Sequence, residues 1–314
     1  MTTNDQALPR LGGPLHVTDA GCETDLIFNR GVPVPEFAAH TLLADPAGRA
    51  ALTDYYRGFL ELAQGSGSGM VLDAPTWKAH AIWADDLGVS VEQLADDVRA
   101  AVAFSRGLAA EHPDVPVVVN GLVGPRGDAY RPSTLLTPDE AEAYHRTQIA
   151  TLADAGVAMV TALTFPHTDE AIGAVRAATA VGIPVVVSFT VETDGTLPTG
   201  EPLGEAFERL DAATGSAAPY LMVNCAHPDH ILAAAPGPWT ERVGAVRCNA
   251  SRQTHAELDE AEVLDDGDPA EFGEGYVALA RRFPGLAVVG GCCGSDLRHV
   301  AAAVDALQSA DVGG

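Results

Sequence analysis

The amino-acid sequence predicts a single α/β domain with the architecture of a (β/α)8 TIM barrel. Short apolar runs rich in valine are followed by longer, alanine-rich amphipathic segments, which is the pattern of repeated βα units. Eight such pairs can be counted, and eight strands that are each followed by a helix define this barrel. A doubly wound open sheet is the alternative, but no GxGxxG or GKS/T turn follows any of the runs.

The predicted elements follow one another along the chain without a domain linker. Strands are predicted at residues 15–20, 70–74, 115–121, 157–163, 183–190, 220–224, 243–249 and 286–290. Helices are predicted at residues 46–64, 91–111, 138–155, 168–181, 203–214, 228–235, 269–283 and 295–308. Two helices have clear start signals, because Thr137 and Asp268 each precede a proline and a first turn that contains acidic residues. We expect one domain over residues 1–314, with residues 1–13 as a flexible N-terminus.

Composition and charge exclude several classes of partner. Hydrophobic residues make up 47% of the chain, which is ample for a large core. The 43 acidic residues outnumber the 18 basic ones and give a formal net charge of −25. Nucleic acids and anionic membrane surfaces both require a basic face, so neither is expected as a partner. The sequence has neither a secretory leader pattern nor a run of apolar residues long enough to span a membrane, and we therefore expect a cytoplasmic protein.

Cysteines lie just after two of the predicted strands. Cys225 follows the sixth strand, and Cys292 and Cys293 follow the eighth strand between glycines. Active sites of this barrel lie at the carboxyl ends of the strands, so the three thiols are expected on the same face. Three thiolates with an open fourth position suit catalytic zinc, whereas structural zinc sites are normally closed by four protein ligands. The alternatives are a buried, apolar role for Cys225 and a vicinal disulfide for the pair, although the cysteine usage favours a reducing compartment.

These motifs resemble the zinc-dependent homocysteine S-methyltransferases. This family includes the betaine and S-methylmethionine homocysteine methyltransferases and the homocysteine domain of methionine synthase. The pair Asn224-Cys225 is similar to the family's Asn-Cys motif, residues 290–294 are similar to its Gly-Gly-Cys-Cys motif, and the turn at Asp19 resembles its opening turn. The resemblance implies a (β/α)8 barrel in which Cys225, Cys292 and Cys293 hold zinc while an acceptor thiol takes the fourth place.

The resemblance also implies an activity and a set of substrate contacts. The activity would be transfer of a methyl group from a small onium donor, such as S-methylmethionine or betaine, to the thiolate of homocysteine, which gives methionine. No catalytic residue is predicted beyond the zinc site. The predicted substrate-binding residues lie at or near the carboxyl ends of the strands: Asp19, Ala20, Gly21, Glu23, Thr24, Trp77, Lys78, Asn120, Leu163, Thr164, His167, Asn224 and Asn249.

Two positions depart from the family pattern. Leu163 stands where familiar members have a glutamate for the amino group of homocysteine; Asp19 or Glu23 would have to compensate, or the acceptor is a different thiol. Lys78 lies on the donor side, where a cation would favour a donor that bears a carboxylate; a surface lysine is the alternative. A zinc-binding barrel without methyl-transfer activity is a further hypothesis, and a homo-oligomer is left open.

Other side chains are secondary candidates. Trp77, Trp83 and Phe165 lie in or near predicted βα loops and would offer aromatic faces to an onium donor, with ordinary packing as the alternative. His80, His167, His227 and His255 fall in the same set of loops. Each of these histidines would be a fourth zinc ligand or a proton carrier, against the more common case of a hydrogen-bonded structural histidine.

Overall fold

A computed structural model describes residues 8–259, 261 and 263–311, and these residues form a closed barrel. The described strands are β1 (His16–Val17), β2 (Gly69–Ala74), β3 (Val117–Val123), β4 (Met159–Phe165), β5 (Val185–Phe189), β6 (Leu221–Ala226), β7 (Val243–Cys248) and β8 (Val288–Gly291). Each strand pairs in parallel with the next, and β8 pairs with β1. The prediction of a single-domain (β/α)8 barrel is confirmed.

Helices surround the sheet in the predicted order. The main ones are α1 (Pro46–Ser66), α2 (Val91–Glu111), α3 (Pro138–Ala155), α4 (Thr168–Val181), α5 (Leu203–Thr214), α6 (Pro228–Ala233), α7 (Pro269–Arg282) and α8 (Leu297–Asp311). Thr137 begins α3 with a complete capping box, in which its side chain and that of Glu140 bond each other's backbone N–H groups. Asp268 caps α7 by accepting from two backbone N–H groups. Across the described residues, every helix is too short or too polar to traverse a lipid bilayer.

The strands differ from their predicted bounds mainly at their ends. Both β3 and β4 begin and end two residues later than the valine-rich runs indicate. The parallel register explains the difference, because Met70 pairs with Val117 and the preceding residues have no ladder partner. The backbone N–H of Val115 instead donates to the carbonyl of His112, in the turn after α2. Runs of apolar residues therefore show roughly where these strands lie, whereas hydrogen bonding to the neighbouring strand determines the residue at which each strand begins.

The apolar core has two layers. The larger layer lies between the sheet and the helices, and it includes the fully buried Tyr55, Phe59, Phe207 and Tyr276. The smaller layer fills the inside of the barrel and is made of Val71, Val118, Leu122, Met159, Leu163, Val186, Tyr220, Met222, Ala245 and Val288. We call this smaller layer the inner core. It fills the barrel, so access to a site is from one end only.

The N-terminal segment contacts the amino end of the barrel. Of the residues predicted to be flexible, 1–7 lie outside the described residues. Leu8 and Leu11 pack against the inner core, and the backbone N–H of Gly12 donates to the carbonyl of Gly285 at 3.0 Å. The last residues before β1 are thus joined to the segment that leads into β8.

A buried ion triad lies inside the barrel. The guanidinium of Arg247 on β7 contacts the carboxylates of Asp19 and Asp73, each at 2.5 Å. The three residues are at most 4% exposed. Asn120 on β3 extends the network by donating to Asp73 at 2.7 Å, and Arg247 also donates to the carbonyl of Gly291 at 2.9 Å. We refer to Asp19, Arg247 and Asp73 as the Arg247 triad.

Candidate active site

Three cysteine thiols converge at the carboxyl end of the barrel. The Sγ atoms of Cys225, Cys292 and Cys293 all lie within 4.8 Å of one another, and those of Cys225 and Cys293 are 3.5 Å apart. Among the described residues, no other group of three or more His, Cys, Asp or Glu side chains is arranged to hold a metal. Cys22 and Cys248 are buried free thiols outside this group. We call the three converging residues the cysteine cluster.

The local backbone brings these thiols together. Cys225 adopts a left-handed conformation with φ of 57°, which is uncommon for a residue other than glycine, and the pairing of β6 with β7 shifts register at this point. Gly294 also has a positive φ of 77°, and it turns the chain directly after Cys293. A side chain at Gly291 would collide with Ser295, so the close return of this turn requires glycine there.

Hydrogen bonds orient the thiols. The hydroxyl of Tyr130, from the β3–α3 loop, lies 2.8 Å from Cys225 Sγ. The side-chain amide of Asn224 lies 3.7 Å from Cys292 Sγ; its oxygen accepts from the hydroxyl of Ser188 at 2.6 Å and from the backbone N–H of Thr164 at 3.0 Å. Asn224 therefore fixes the ends of β4, β5 and β6 relative to Cys292.

Electrostatics within the cluster favour one thiolate over the others. Hydrogen bonds from the Cys225 and Cys293 thiols hold the pKa of Cys292 well below its usual range. The guanidinium of Arg247 and the amide of Asn224 act in the same direction, against the effect of burial. Cys292 is consequently the first of the three thiols to ionise, and thiolate is the form of cysteine that binds metals.

The β1 loop is joined directly to the turn that carries Cys292. The backbone N–H of Gly21 donates to the carbonyl of Ser295 at 3.2 Å, and the backbone N–H of Gly294 donates to the hydroxyl of Thr24 at 3.3 Å. A side chain at Gly21 would touch the carbonyl oxygen of Cys292. These contacts place the predicted substrate residues Ala20, Gly21, Glu23 and Thr24 beside the cysteine cluster.

Glu23 is the acid of this loop whose carboxylate has no ion-pair partner in the part of the chain that the structure describes. Burial, the largest cause, raises the pKa of its carboxyl to about 7; the negative charge of Cys292 adds to this effect, whereas Arg247 and Lys78 oppose it. Within the described chain, no other residue donates a hydrogen bond to this carboxylate. By contrast, the carboxylate of Asp19 is engaged by Arg247 and by the hydroxyl of Tyr55, at 2.5 and 3.3 Å.

The donor-side residues occupy different environments. Leu163 belongs to the inner core, and its carbonyl accepts from the indole N–H of Trp77 at 2.9 Å, so both residues line the barrel mouth. The ammonium of Lys78 donates to the carbonyl of Glu36 at 2.6 Å and lies 4.0 Å from the ring centre of Trp83. Lys78 thus joins the β1 and β2 loops.

Of the secondary candidates, Phe165 points away from the barrel mouth. Its side chain is fully buried in the outer core layer and contacts His145, so the structure does not present its face to the cysteine cluster. One face of Trp83 is covered by the ammonium of Lys78. Trp77 is therefore the member of the three predicted aromatics that remains at the mouth.

The histidines are mostly engaged in hydrogen bonds. His80 bonds the hydroxyl of Tyr144 at 2.7 Å, and His227 accepts the backbone N–H of Asp229 at the start of α6. His255 donates from Nε2 to the carbonyl of Cys225 at 2.8 Å. His167 is 9% exposed, and its Nδ1 has no partner among the described residues.

Asn249 carries a second unsatisfied polar atom near the site. It is 2% exposed, and its side-chain oxygen has no donor among the described residues. Ala245 and Arg247 of β7 both face the barrel axis, and Asn249 follows two residues later, which is the spacing of one face of a strand. An unsatisfied buried oxygen is costly, so this atom is free to accept a hydrogen bond from water or from a ligand.

Sequence reasoning did not identify Tyr130, Ser188 or Arg247. Tyr130 had one available indication, since it lies in a βα loop of the predicted barrel a few residues after Pro125. Arg247 is one of many arginines, and its burial follows from pairing with two acids that are distant in the sequence. The predicted Asn120 and Asp19 both belong to the network around Arg247.

Comparison with known proteins agrees with this geometry. Residues 16–307 match the family model described as homocysteine S-methyltransferase, and the chain belongs to this family. It is accordingly a thiol methyltransferase that acts on small molecules, and the resemblance noted from the sequence is confirmed. The hypothesis of a barrel without methyl-transfer activity loses its support. No curated protein sequence matches the chain significantly.

Solved structures support the fold. The chain resembles the homocysteine methyltransferase MmuM from Escherichia coli in its metallated form, with 20% identity, a TM-score of 0.70, and coverage of 93% of this chain and 96% of that one. The oxidized form of the same protein gives 20% identity and a TM-score of 0.70, with 94% and 96% covered. A methyltransferase from Methanosarcina mazei is 13% identical with a TM-score of 0.51, covering 97% of this chain and 95% of that one.

Proposed function

We propose that this protein is a zinc-dependent S-methyltransferase that moves a methyl group from a small onium donor to homocysteine, giving methionine. The observation that carries the proposal is the cysteine cluster, whose Sγ atoms lie within 4.8 Å of one another. Sulfurs bound to one tetrahedral zinc at 2.3 Å lie about 3.8 Å apart, so the cluster fits this ion with little movement. Soft thiolate ligands favour zinc over magnesium or calcium.

The cysteine cluster would hold zinc through Cys225, Cys292 and Cys293. Bound zinc supplies a position at which a substrate thiol loses its proton at neutral pH and keeps its nucleophilic charge. The protein's own task is positioning, because methyl transfer requires the sulfur, the methyl carbon and the leaving atom in line. As the new sulfur–carbon bond forms, the bond between the methyl group and the donor heteroatom breaks, and the heteroatom keeps the electron pair and leaves as a neutral amine or thioether.

Recognition of an amino group by Glu23 and Asn249 supports homocysteine as the acceptor. Among the described residues, the carboxylate of Glu23 is bonded only by its own backbone N–H and the side-chain oxygen of Asn249 has no donor, and their loops flank the Cys292–Cys293 turn. A primary ammonium offers both a positive charge and N–H groups, whereas a sulfonium or quaternary ammonium has no N–H to donate. These two acceptors therefore fit the amino group of the acceptor better than the onium group of the donor.

One observation favours a second candidate, the same chemistry on a thiol without an amino group. Leu163 presents an apolar side chain at the mouth beside Trp77, and Asp19 is already neutralised by Arg247. A simple mercaptan would need neither Glu23 nor Asn249. The two candidates differ in whether the acceptor's ammonium contributes to binding.

X-ray absorption at the zinc edge tests the metal and the acceptor together. Protein purified without added metal is expected to contain about one zinc per chain with three sulfur neighbours. Addition of homocysteine should raise the number of sulfurs to four. Three sulfurs that do not change would favour the second candidate, whereas absence of zinc would contradict the proposal.

Glu23→Gln is expected to raise KM for homocysteine by about tenfold, because a hydrogen bond to a charged group contributes about 1.5–3 kcal/mol. The KM for 2-mercaptoethanol should not change, since this thiol has no ammonium. Steady-state kinetics with both thiols give the comparison, with Glu61→Gln on the exposed surface of α1 as the matched control. An equal effect on both thiols would show that Glu23 does not recognise the amino group.

A further inference from the structure

Tyr130 reaches the cysteine cluster from the loop between β3 and α3. The loop follows β3, and the carboxylate of Asp128 accepts the backbone N–H groups of Tyr130 and Arg131 at 2.7 and 2.9 Å. This turn directs the phenol inward, where its oxygen lies 2.8 Å from Cys225 Sγ. The hydroxyl is a shorter contact to a cluster thiol than the amide of Asn224, which lies 3.7 Å from Cys292 Sγ.

The ring of Tyr130 is held by His255. The two ring centres are 4.2 Å apart and the planes are inclined by 35°. His255 Nε2 donates to the carbonyl of Cys225 at 2.8 Å, and its Nδ1 lies 3.4 Å from a carboxylate oxygen of Glu192. Tyr130 and His255 therefore both contact Cys225, Tyr130 at its thiol and His255 at its backbone carbonyl.

Cys225 is the member of the cluster whose backbone needs such support. Its left-handed φ of 57° costs about 1 kcal/mol or more for a residue with a side chain. The hydroxyl of Thr190 also donates to its carbonyl, at 3.2 Å. The contacts from Tyr130, His255 and Thr190 hold the thiol and the carbonyl of Cys225 and so stabilise its left-handed conformation.

We propose that Tyr130 is a positioning residue of the metal centre, which donates a hydrogen bond to the Cys225 thiolate while His255 holds its ring in place. The inference rests on the proposed zinc site. Three thiolates concentrate negative charge in a buried place, and a hydroxyl donor disperses part of the charge on Cys225. Cys225 thus becomes a weaker electron donor to the metal than it would be without Tyr130.

Tyr130→Phe isolates the hydroxyl, because phenylalanine keeps the ring that stacks on His255. With Co2+ bound in place of zinc, the sulfur-to-cobalt charge-transfer band of the variant should move to lower energy, since a thiolate without its hydrogen bond releases electrons more readily. Competition with a chelator should show zinc affinity that is about tenfold weaker, because a buried thiolate without its hydrogen bond is harder to form and less well oriented, and this cost outweighs its greater electron donation. Tyr144→Phe is the matched control, because that hydroxyl bonds His80 and the backbone N–H of Ile82 away from the thiols.

These measurements test the proposed zinc site and the role of Tyr130 separately. A wild-type protein without sulfur-to-cobalt bands would contradict the thiolate metal site and, with it, the role of Tyr130. A wild-type protein with such bands, together with a Tyr130→Phe variant of identical band energy and zinc affinity, would overturn the role of Tyr130 alone. A shift in Tyr130→Phe that Tyr144→Phe does not share supports the inference, and it does so without any measurement of activity.

Discussion

Replacement of Cys293 by alanine is expected to remove the metal and to reduce the rate of methyl transfer by more than about a thousandfold. A free thiol with a pKa near 8.5 is only about 3% ionised at pH 7, which accounts for roughly thirtyfold. Loss of the fixed position of the sulfur accounts for about a further hundredfold. Metal analysis after gel filtration, combined with steady-state rates, measures both effects.

Cys248→Ala is the matched control for this experiment. Cys248 is another buried free cysteine at the end of the neighbouring strand β7, but it packs against the helix layer rather than in the cysteine cluster. This variant should keep about one zinc per chain. A Cys293→Ala protein with the same zinc content as wild type would mean that the cluster is not the metal site.

Arg247→Met is expected to lower the free energy of unfolding by about 3–5 kcal/mol, because it leaves uncompensated charge in the barrel. The carboxylates of Asp19 and Asp73 are only 3% and 1% exposed, and each contacts the guanidinium at 2.5 Å. Urea unfolding with and without the substitution gives the difference. Arg252→Met, which breaks exposed pairs with Asp229 and Glu271, should cost less than about 1 kcal/mol.

The charge explanation can be separated from simple loss of packing. The triple variant Arg247→Met, Asp19→Asn, Asp73→Asn removes the positive charge and both negative charges, so it should recover much of the lost stability. If the single and triple variants are equally unstable, the loss arises from packing and hydrogen bonds rather than from the unpaired acids. An Arg247→Met protein as stable as wild type would contradict the importance of the Arg247 triad.

Much of the fold follows from local sequence patterns. Helices α2, α3, α4 and α5 occupy the predicted residues, because their apolar faces and end signals are local: Ser90 and Thr137 cap the starts of α2 and α3, and glycines in a left-handed conformation end α3, α4 and α5. Strand ends are less predictable, since a ladder ends where the neighbouring strand offers no partner. The sequence 220–224 predicts a strand that stops before Cys225, whereas β6 extends to Ala226 through a left-handed cysteine. Nothing in the apolar pattern indicates that conformation.

The candidate site was predictable where chain topology alone determines position. Cys225 and Cys292 follow strands six and eight, and a closed barrel brings the ends of both to the same face. The surroundings of charged side chains were not predictable in this way. Lys78 looks free to meet a donor in the sequence, but it bonds the backbone of Glu36 from another loop. Arg247 is of a residue type that is usually exposed, and its burial depends on two distant acids.

The closure of the barrel also fixes the order in which the site can be assembled during synthesis. Strand β1 pairs with β8, and the loop of Thr24 meets the turn of Gly294 although the two residues are 270 positions apart in the chain. Cys292 and Cys293 therefore leave the ribosome long after the loop of Thr24, and contacts between distant segments form slowly. A nascent chain therefore carries an incomplete cysteine cluster until residue 293 has been translated, and only after that point are all three ligands of the proposed zinc site present.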